Sequence, residues 1–329
     1  MRFYDISITD TSGKVISIDG FDMVFTSFKN GRTIPSALNV EMDIPIVTED
    51  VPAGNAYIKI WGVDLGLINK ASNLNFQNIK IMAGMQKGLP LATQQANYSP
   101  VRNGIILQGT ILQALGNWQG NEQTLDLIIM TRLVTTQAEI AKPKPIVVAC
   151  KTGASLQDAI TAALSNAGIK SIIKCDPGLV PSAPGLFAQY QNINLFAQDM
   201  DFHSKRIINR QNYIGLKFAK TSDGYYGTDN TQTADTPIPI EFNDLIGQPT
   251  WLNYNEVLLK CVMRSDIKVA NTIKMPKSNI IQGKFFAPKN DIFYTGTAFV
   301  SQVRHIGNFR QPDANSWVSV INVFPNIKK

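Results

Sequence analysis

Two stretches, GTILQALGNW at residues 109–118 and GTAFVSQVRHIGNF at residues 296–309, carry the same order of signals. Each begins at Gly-Thr, continues through mostly apolar residues and breaks at Gly-Asn-aromatic. An apolar, partly alternating strand follows each one, at Leu125–Met130 and at Trp317–Phe324. Turn residues between two apolar runs predict a β-hairpin. We therefore predict that the chain contains two copies of one β-domain.

Length and composition are typical of a folded protein with two or three domains. The chain has 329 residues, of which 44% are hydrophobic. Met1–Asp5 enters strand-like alternation without a basic segment and an apolar run behind it, so we expect no secretory signal and folding in a cytoplasm. The cysteines Cys150, Cys175 and Cys261 are odd in number and lack CxxC spacing. This predicts buried free thiols in a reducing compartment.

The charge is basic but diffuse. Residues 1–140 hold 10 Lys and Arg against 12 Asp and Glu, and residues 141–329 hold 21 against 13, which gives the net +6. Such an excess permits weak contact with nucleic acid or an acidic partner without indicating specific binding. Charged residues are only 17% of the chain. Because charge is depleted at interface cores, this composition favours a surface committed to subunit contacts.

Alternating apolar patterns predict a strand-rich first part. The predicted strands before the first hairpin are Tyr4–Thr9, Val15–Ile18, Met23–Lys29, Ala37–Ile46, Ala56–Val63 and Asn78–Ala83. The turn Ser12-Gly13-Lys14 is expected to join the first two strands as a hairpin. Asp64 is expected to cap a short helix at Leu65–Ser72.

The periodicity changes after Ala141–Pro145, whose two prolines predict an extended linker. A helical stripe at Leu156–Ala167 follows Ser155 and ends before Gly168. The other elements predicted in this part are a strand at Ile169–Ile173, a helix at Asn194–Lys205, a strand at Tyr213–Phe218, a polar exposed loop at residues 221–236 and a strand at Glu256–Met263.

These patterns predict a mainly β (α+β) fold with two tandem β-barrel domains and a small α/β domain between them. The predicted boundaries are residues 1–140 for the first barrel, 141–245 for the α/β domain with its exposed loop, and 246–329 for the second barrel. The second barrel is open to pairing with strands of the middle region.

The sequence predicts no catalytic, metal-binding or cofactor-binding residue. His203 and His305 flank no nucleophile motif; we interpret the first as a helix C-terminal cation and the second as a cross-strand or subunit-contact residue. Three scattered cysteines and two distant histidines do not supply a zinc site. Acidic groups that could suggest a carboxylate dyad or a metal loop are Asp199/Asp201, Glu49/Asp50, Asp223-Gly224 and Asp229-Asn230. The first is typical of a helix face and the second of a turn, while the last two lack the twelfth-position Glu of a calcium loop.

Trp118, Phe309 and Trp317 lie beside the predicted turns, where they could stack on bases or sugars. Aromatic residues beside turns more often cover the ends of a barrel, which is the interpretation we favour. Gly109 and Gly296 are interpreted as bulges or barrel corners.

Four segments, in this order, resemble the baseplate hub family of contractile-tailed bacteriophages, whose fold is shared by the first part of type VI secretion spike proteins. They are Ile58–Trp61 with Ile79–Gly84, Leu107–Ile111, Leu245–Thr250, and Val303–Asn308 with Trp317 downstream. The first resembles the family's strand, short helix and strand ending in Ala-Gly, and the third its Ile-Gly-x-Pro segment. Two positions depart from the family pattern: Gly62-Val63 replaces Asn-Leu, and Met85 replaces Tyr.

The resemblance implies a structural, non-enzymatic hub without cofactors: a trimeric ring of tail-tube-like barrels whose six near-equivalent faces join a hexameric tail tube to a trimeric central spike. The implied partners are the chain itself as a homotrimer, the tail tube protein, a separate spike or puncturing protein and other baseplate proteins. Transient contact with DNA or a tape-measure protein in the channel is also implied, without a membrane anchor. The implied location is the tail baseplate of the virion, after assembly in the host cytoplasm. The alternatives are a carbohydrate- or nucleic-acid-binding β-module, a tail-tube subunit, and a hydrolase whose site forms at a subunit boundary.

Overall fold

The computed structural model describes residues 1–51, 54–85, 102–131, 145–210, 213–221, 224–232, 236–252, 256–276 and 296–325. The predicted mainly β class is confirmed, because strands far outnumber helices in these parts. The α-helices are α1 (Leu65–Asn69), α2 (Leu156–Asn166) and α3 (Ile193–Ile208), and 3₁₀ turns occur at Ala71–Leu74, Phe242–Asp244 and Ala314–Ser316.

The strands in chain order are β1 (Arg2–Thr9), β2 (Ser17–Ile18), β3 (Phe21–Asp22), β4 (Val24–Thr26), β5 (Phe28–Lys29), β6 (Arg32–Thr33), β7 (Asn39–Val47), β8 (Ala56–Trp61), β9 (Asn78–Met85), β10 (Arg102–Gln119), β11 (Glu122–Met130), β12 (Ile146–Cys150), β13 (Ser171–Lys174), β14 (Leu186–Tyr190), β15 (Lys217–Thr221), β16 (Gly224–Thr228), β17 (Ile238–Pro239), β18 (Thr250–Trp251), β19 (Val257–Val262), β20 (Thr272–Lys274), β21 (Thr297–Asn308) and β22 (Trp317–Pro325).

One large sheet contains most of these strands. Its order is β18-β19-β22-β21-β7-β8-β11-β10-β9-β1-β4, and all of these neighbours are antiparallel. A branch adds β20 to β21 and β17 to β20. Within the described residues no pairing joins β18 to β4. The two predicted barrels are therefore not closed by strand pairing in these parts.

Alternation explains why these segments form a half-covered sheet. In β7, Val40, Met42 and Ile44 are buried, whereas Asn39 and Glu41 lie on the opposite face. Successive side chains of a strand point to opposite faces, so one face packs into the core and the other stays open. We call this second face the open face of the sheet.

The buried side chains form three hydrophobic clusters. One includes Ile6 and Ile58, the next Ile146 and Phe196, and the last Val257 and Ile321. The middle cluster is built by α2, α3 and β12–β16, which we call the middle unit. Burying an aliphatic or aromatic side chain contributes about 1.5–3 kcal/mol, so each cluster can support its own part of the chain.

The helices agree with their sequence signals. Asp64 Oδ1 accepts the Leu67 N–H at 3.0 Å at the start of α1, and Ser155 Oγ accepts the Asp158 N–H at 3.3 Å at the start of α2. Asn192 caps α3. This helix begins one residue before and ends three residues after the helix predicted at Asn194–Lys205.

The predicted N-terminal hairpin is confirmed only next to its turn, where the Asp10 N–H donates to the Lys14 carbonyl and the Ile16 N–H to the Ile8 carbonyl. Val15 forms one isolated bridge with Thr9, and Ser17–Ile18 pairs with Phe21–Asp22 instead. The strand β1 pairs along all of its residues with β9 and at Asp5–Ser7 with β4. The reason is that β9 forms backbone hydrogen bonds with β1 along its whole length, whereas a two-residue local strand cannot.

The predicted exposed loop at residues 221–236 is also wrong in part. Gly224–Thr228 forms β16, parallel to β13 and antiparallel to β15, and Asp229 is buried. Its Tyr225 and Tyr226 suit a strand, but the flanking polar residues obscured that signal. The predicted linker lies, apart from Pro145, outside the described residues, as does Asp223.

The first hairpin turns later than predicted. The strand β10 continues through Gly116-Asn117-Trp118 to Gln119, and the turn lies at Gly120-Asn121. A Cβ atom on Gly116 would lie 2.3 Å from the Ile68 carbonyl oxygen. This glycine therefore permits close packing against α1 and does not mark a turn.

Candidate functional site

The two histidines form no catalytic group. His305 is fully buried on β21, and its Nδ1 lies 2.9 Å from Ser319 Oγ on β22, which confirms the predicted cross-strand role. Burial lowers the pKa of His305 to about 4, so the ring is neutral near pH 7. His203 lies in α3 with its Nε2 3.4 Å from Asp199, which also accepts the Tyr190 hydroxyl. The His305–Ser319 contact lies in the core, where both side chains are buried and a substrate cannot reach them.

The acidic pairs are separated by their ion-pair partners. Asp199 contacts His203, whereas Asp201 pairs with Lys205 at 2.7 Å and with Lys217 at 3.2 Å. In the second pair, Glu49 accepts from Asn194 and Asp50 pairs with Lys217. Asp229 accepts from the Tyr213 hydroxyl and the Asp176 amide. These carboxylates hold the middle unit together and bind it to the segment that follows β7.

In the described parts of the chain, no three His, Cys, Asp or Glu side chains converge as a metal site. The prediction of buried free thiols is confirmed for Cys150, Cys175 and Cys261. Burial, together with the charge of Asp229, raises the pKa of the Cys175 thiol to about 12. This thiol is therefore protonated and unreactive at neutral pH.

The three aromatic residues beside the hairpin turns do not form one binding platform. Trp317 is buried and donates its Nε1–H to the Gly84 carbonyl at 2.9 Å. Phe309 packs edge-on against Tyr4 and Trp317. Only Trp118 is exposed, at 62%. A shallow cleft lies near it on the open face, lined by Lys59, Trp61, Asn117, Gln119, Glu122 and Thr124. This cleft contains no nucleophile beside a base.

The sheet contains the same strand order twice. The first unit, β7–β11, pairs as β7-β8-β11-β10-β9, and the second unit, β18–β22, pairs as β18-β19-β22-β21-β20. Every one of these pairs is antiparallel. In both units the five strands also follow one another directly in the chain. Two units of one topology are thus joined in a single polypeptide.

A β-bulge fixes which residues of the two units are equivalent. The β10–β11 ladder shifts between Ile111 and Gln113, and the β21–β22 ladder shifts between Val300 and Gln302. A bulge adds one residue to one strand, so it marks a definite position in the ladder. Gln113 and Gln302 are therefore equivalent, as the first residues after the shift.

The glycines equated in the sequence are not equivalent positions. In the register set by the bulge, Gly109 corresponds to Ala298 and Gly116 to His305. The sequence alignment is therefore wrong by two residues at each end of the strand. The two shifts run in opposite directions, and each keeps every side chain on the same face of its strand.

The two units meet at a seam formed by β7 and β21. Their ladder joins Gln302–Asn308 to Glu41–Val47 in antiparallel register. On the open face, Arg304 Nε donates to Asp43 Oδ1 at 2.6 Å, and Asn308 Nδ2 donates to Glu41 at 3.1 Å. The bond to Asp43 raises the pKa of Arg304. Local periodicity gives no signal for this seam, because its partners are some 260 residues apart in the chain.

The equivalent edge of β10, which we call the open edge, has no neighbouring strand among the described residues, although α1 packs against β10 at Gly116. Asn75 Oδ1 accepts the Ala114 N–H at 2.7 Å, and beyond that point Leu115–Gln119 pair only with β11 among the described strands. At the other end of the sheet, β19 is the one strand that pairs with β18 in the described ranges. Large apolar side chains are exposed beside both edges: Leu115 at 45% and Leu252 at 49%. Composition predicted a surface committed to contacts but did not identify these residues.

No helix within the described ranges is long and apolar enough to cross a membrane.

No family model matches the chain, and no curated protein matches it in sequence. Solved structures of tail proteins match it over nearly its full length. The 43 kDa tail protein of prophage MuSo2 from Shewanella oneidensis is 7% identical, with a TM-score of 0.48 over 98% of this chain and 96% of its own. The E. coli c3393 protein, a component of the type VI secretion system, is 10% identical, with a TM-score of 0.45 over 88% of this chain and 74% of its own. The Francisella PdpA–VgrG complex contains a chain that is 10% identical, with a TM-score of 0.43 over 100% of this chain and 59% of its own.

Proposed function

We propose that the chain is the structural hub of a phage tail baseplate, a trimeric ring that adapts a hexameric tail tube to a trimeric central spike. The observation that carries this proposal is the repeated strand order of the first and second units. A ring closes only when its contacts repeat at a fixed rotation. Three chains with two equivalent units each supply six contacts of similar geometry, so a threefold assembly presents nearly sixfold order to a partner.

The organisation of the chain supports this role. In our proposal the first unit belongs to a tail-tube-like barrel domain at residues 1–140 and the second to one at residues 246–329, with the α/β domain at residues 141–245 between them. The seam of β7 and β21 fixes the two units within one continuous sheet. Asn194 and Lys217 bind the middle unit to Glu49 and Asp50 beside that seam. Each chain is therefore a rigid building block with two similar faces.

The chemistry of the surface supports an assembly protein over an enzyme. The open face carries charges that are neutralised within the chain, such as Asp43 with Arg304 and Lys59 with Asp126 at 3.3 Å. Paired charges hold few counterions and offer no strong field for a charged polymer. A channel lined by this face would let DNA or a tape-measure protein pass with only transient contact. The proposed partners are the tail tube protein, a separate spike protein and other baseplate proteins, in the virion baseplate after assembly in the host cytoplasm.

The mass of the purified chain in solution tests the proposal. We expect a species of three times the 36.3 kDa of one chain, measured by mass photometry or light scattering after gel filtration. The trimer should persist on dilution, because the seams of a closed ring must break in pairs to release one chain. A stable monomer at micromolar concentration, both alone and with tube and spike partners, would contradict the proposed ring.

A further inference from the structure

The open edge of β10 has a counterpart inside the same chain that is not open. In the second unit, the equivalent stretch of β21 is covered by β7, the first strand of the first unit. In the first unit, Leu115–Gln119 of β10 has no strand on that side among the described residues. The element that would cover it in an equivalent way is the first strand of a second unit, which is β18.

The β18 of the same chain cannot supply this contact, because it lies at the far end of the sheet, with six strands between it and β10. A second copy of the chain can supply it. We propose that β10 of one copy pairs antiparallel with the β18 segment of the next copy, in the register that β21 and β7 use within the chain. This inference rests on the proposed ring.

The equivalences predict which residues meet. Asp43 pairs with Tyr57 in the first unit, and Thr250 pairs with Leu258 in the second. The register set by the bulge makes Tyr57 equivalent to Leu258, so Thr250 corresponds to Asp43 and Leu252 to Pro45.

Within the chain, Pro45 lies opposite Arg304, and Leu115 is the residue equivalent to Arg304. Leu115 of one copy therefore faces Leu252 of the next.

The exposure of these side chains agrees with that register. Leu115 and Leu252 are both about half exposed, on the two edges that the proposal brings together. Trp118 at 62% lies further along β10, and Phe242 at 56% lies in the 3₁₀ turn that leads towards β18. An apolar side chain beside an unpaired strand edge is a liability in a monomer, and pairing with another copy removes it. The seam within the chain is polar at this position, where Arg304 pairs with Asp43.

Charge substitutions at the two leucines test this seam. Leu115→Asp alone and Leu252→Lys alone should each weaken association at least tenfold, because a charge would be buried against a leucine. The Leu115→Asp/Leu252→Lys double variant should recover most of the trimer, since the two charges then face each other. Phe187→Asp is the matched control: Phe187 is exposed on β14, which pairs with β12 in a separate sheet, and its substitution should leave the trimer intact.

A thiol cross-link gives a second readout that does not depend on dissociation. The Leu115→Cys/Leu252→Cys variant, treated with a short bifunctional thiol reagent, should yield covalent dimers and trimers on a denaturing gel. Either single variant should not, because the three native cysteines are buried. A wild-type trimer that neither cross-links in the double variant nor weakens in Leu115→Asp would overturn this seam and leave the ring standing. A monomeric wild type would instead overturn the proposed function.

Discussion

The Arg264→Leu variant should lose about 3–5 kcal/mol of unfolding free energy in the second unit, because it removes the cation that faces the buried Asp244 carboxylate. Arg264 is 2% exposed, and its Nη1 lies 3.0 Å from Asp244, which is 1% exposed. The same guanidinium donates from Nε to Asp266 at 3.0 Å and from Nη1 to the Pro239 carbonyl at 3.0 Å. Burial alone would lower the pKa of Arg264, but bonding to Asp266 and the charges of Asp266 and Asp244 raise it.

The measurement is urea denaturation of the wild type and the variant, with hydrogen exchange to locate the loss in β17–β22. Lys268→Met is the matched control, because Lys268 is an exposed cation only four residues away, and we expect less than about 0.5 kcal/mol there. Should Arg264→Leu fail to fold, Asp266→Asn provides a milder test, since that carboxylate is 30% exposed. If Arg264→Leu has the same free energy of unfolding as the wild type, this buried network does not stabilise the second unit.

The Lys217→Met variant should loosen the middle unit from the segment after β7. Lys217 Nζ lies 2.6 Å from Asp50 and 3.2 Å from Asp201, and the Lys217 and Asp50 side chains are less than a tenth exposed. Burial alone would lower the pKa of Lys217, but the charges of both aspartates outweigh it and the pKa is raised. Removing the ammonium leaves the buried Asp50 carboxylate without its cation, while Asp201 keeps Lys205, and we expect a loss of about 3–5 kcal/mol.

Hydrogen exchange at α3 and β15 measures this loss directly, and thermal denaturation should show a midpoint roughly 10 °C lower. Lys170→Met is the control, because Lys170 is an exposed cation beside β13 of the same unit. Adding Asp50→Asn to Lys217→Met should restore part of the stability, since it removes the charge that lost its cation. An unchanged exchange rate in Lys217→Met would contradict the role of this pair as the attachment of the middle unit.

Local periodicity predicted the elements whose burial follows one regular pattern. The helix predicted at Leu156–Ala167 differs from α2 by one residue, and the strand predicted at Glu256–Met263 contains β19. Patterns failed where a polar neighbourhood masked a short strand, as at β16, and where a glycine served packing, as at Gly116.

Long-range pairing was beyond the reach of sequence patterns. The choice of β9 and β4 as partners of β1 depends on the free energy of a whole ladder, and a local turn signal at Ser12-Gly13-Lys14 could not predict it. The contacts of Lys217 and Arg264 were missed for a related reason. A lone cation in a strand-rich segment looks the same in sequence whether it is buried in a pair or exposed to solvent.

The central claim is that one chain supplies two equivalent units to a threefold ring. Electron microscopy of the isolated protein, with particles averaged down the ring axis without imposed symmetry, tests it most directly. We predict a closed ring of three chains with six similar lobes around an open centre. A compact particle without a central opening, or a ring with lobes in any number other than six, would contradict the account.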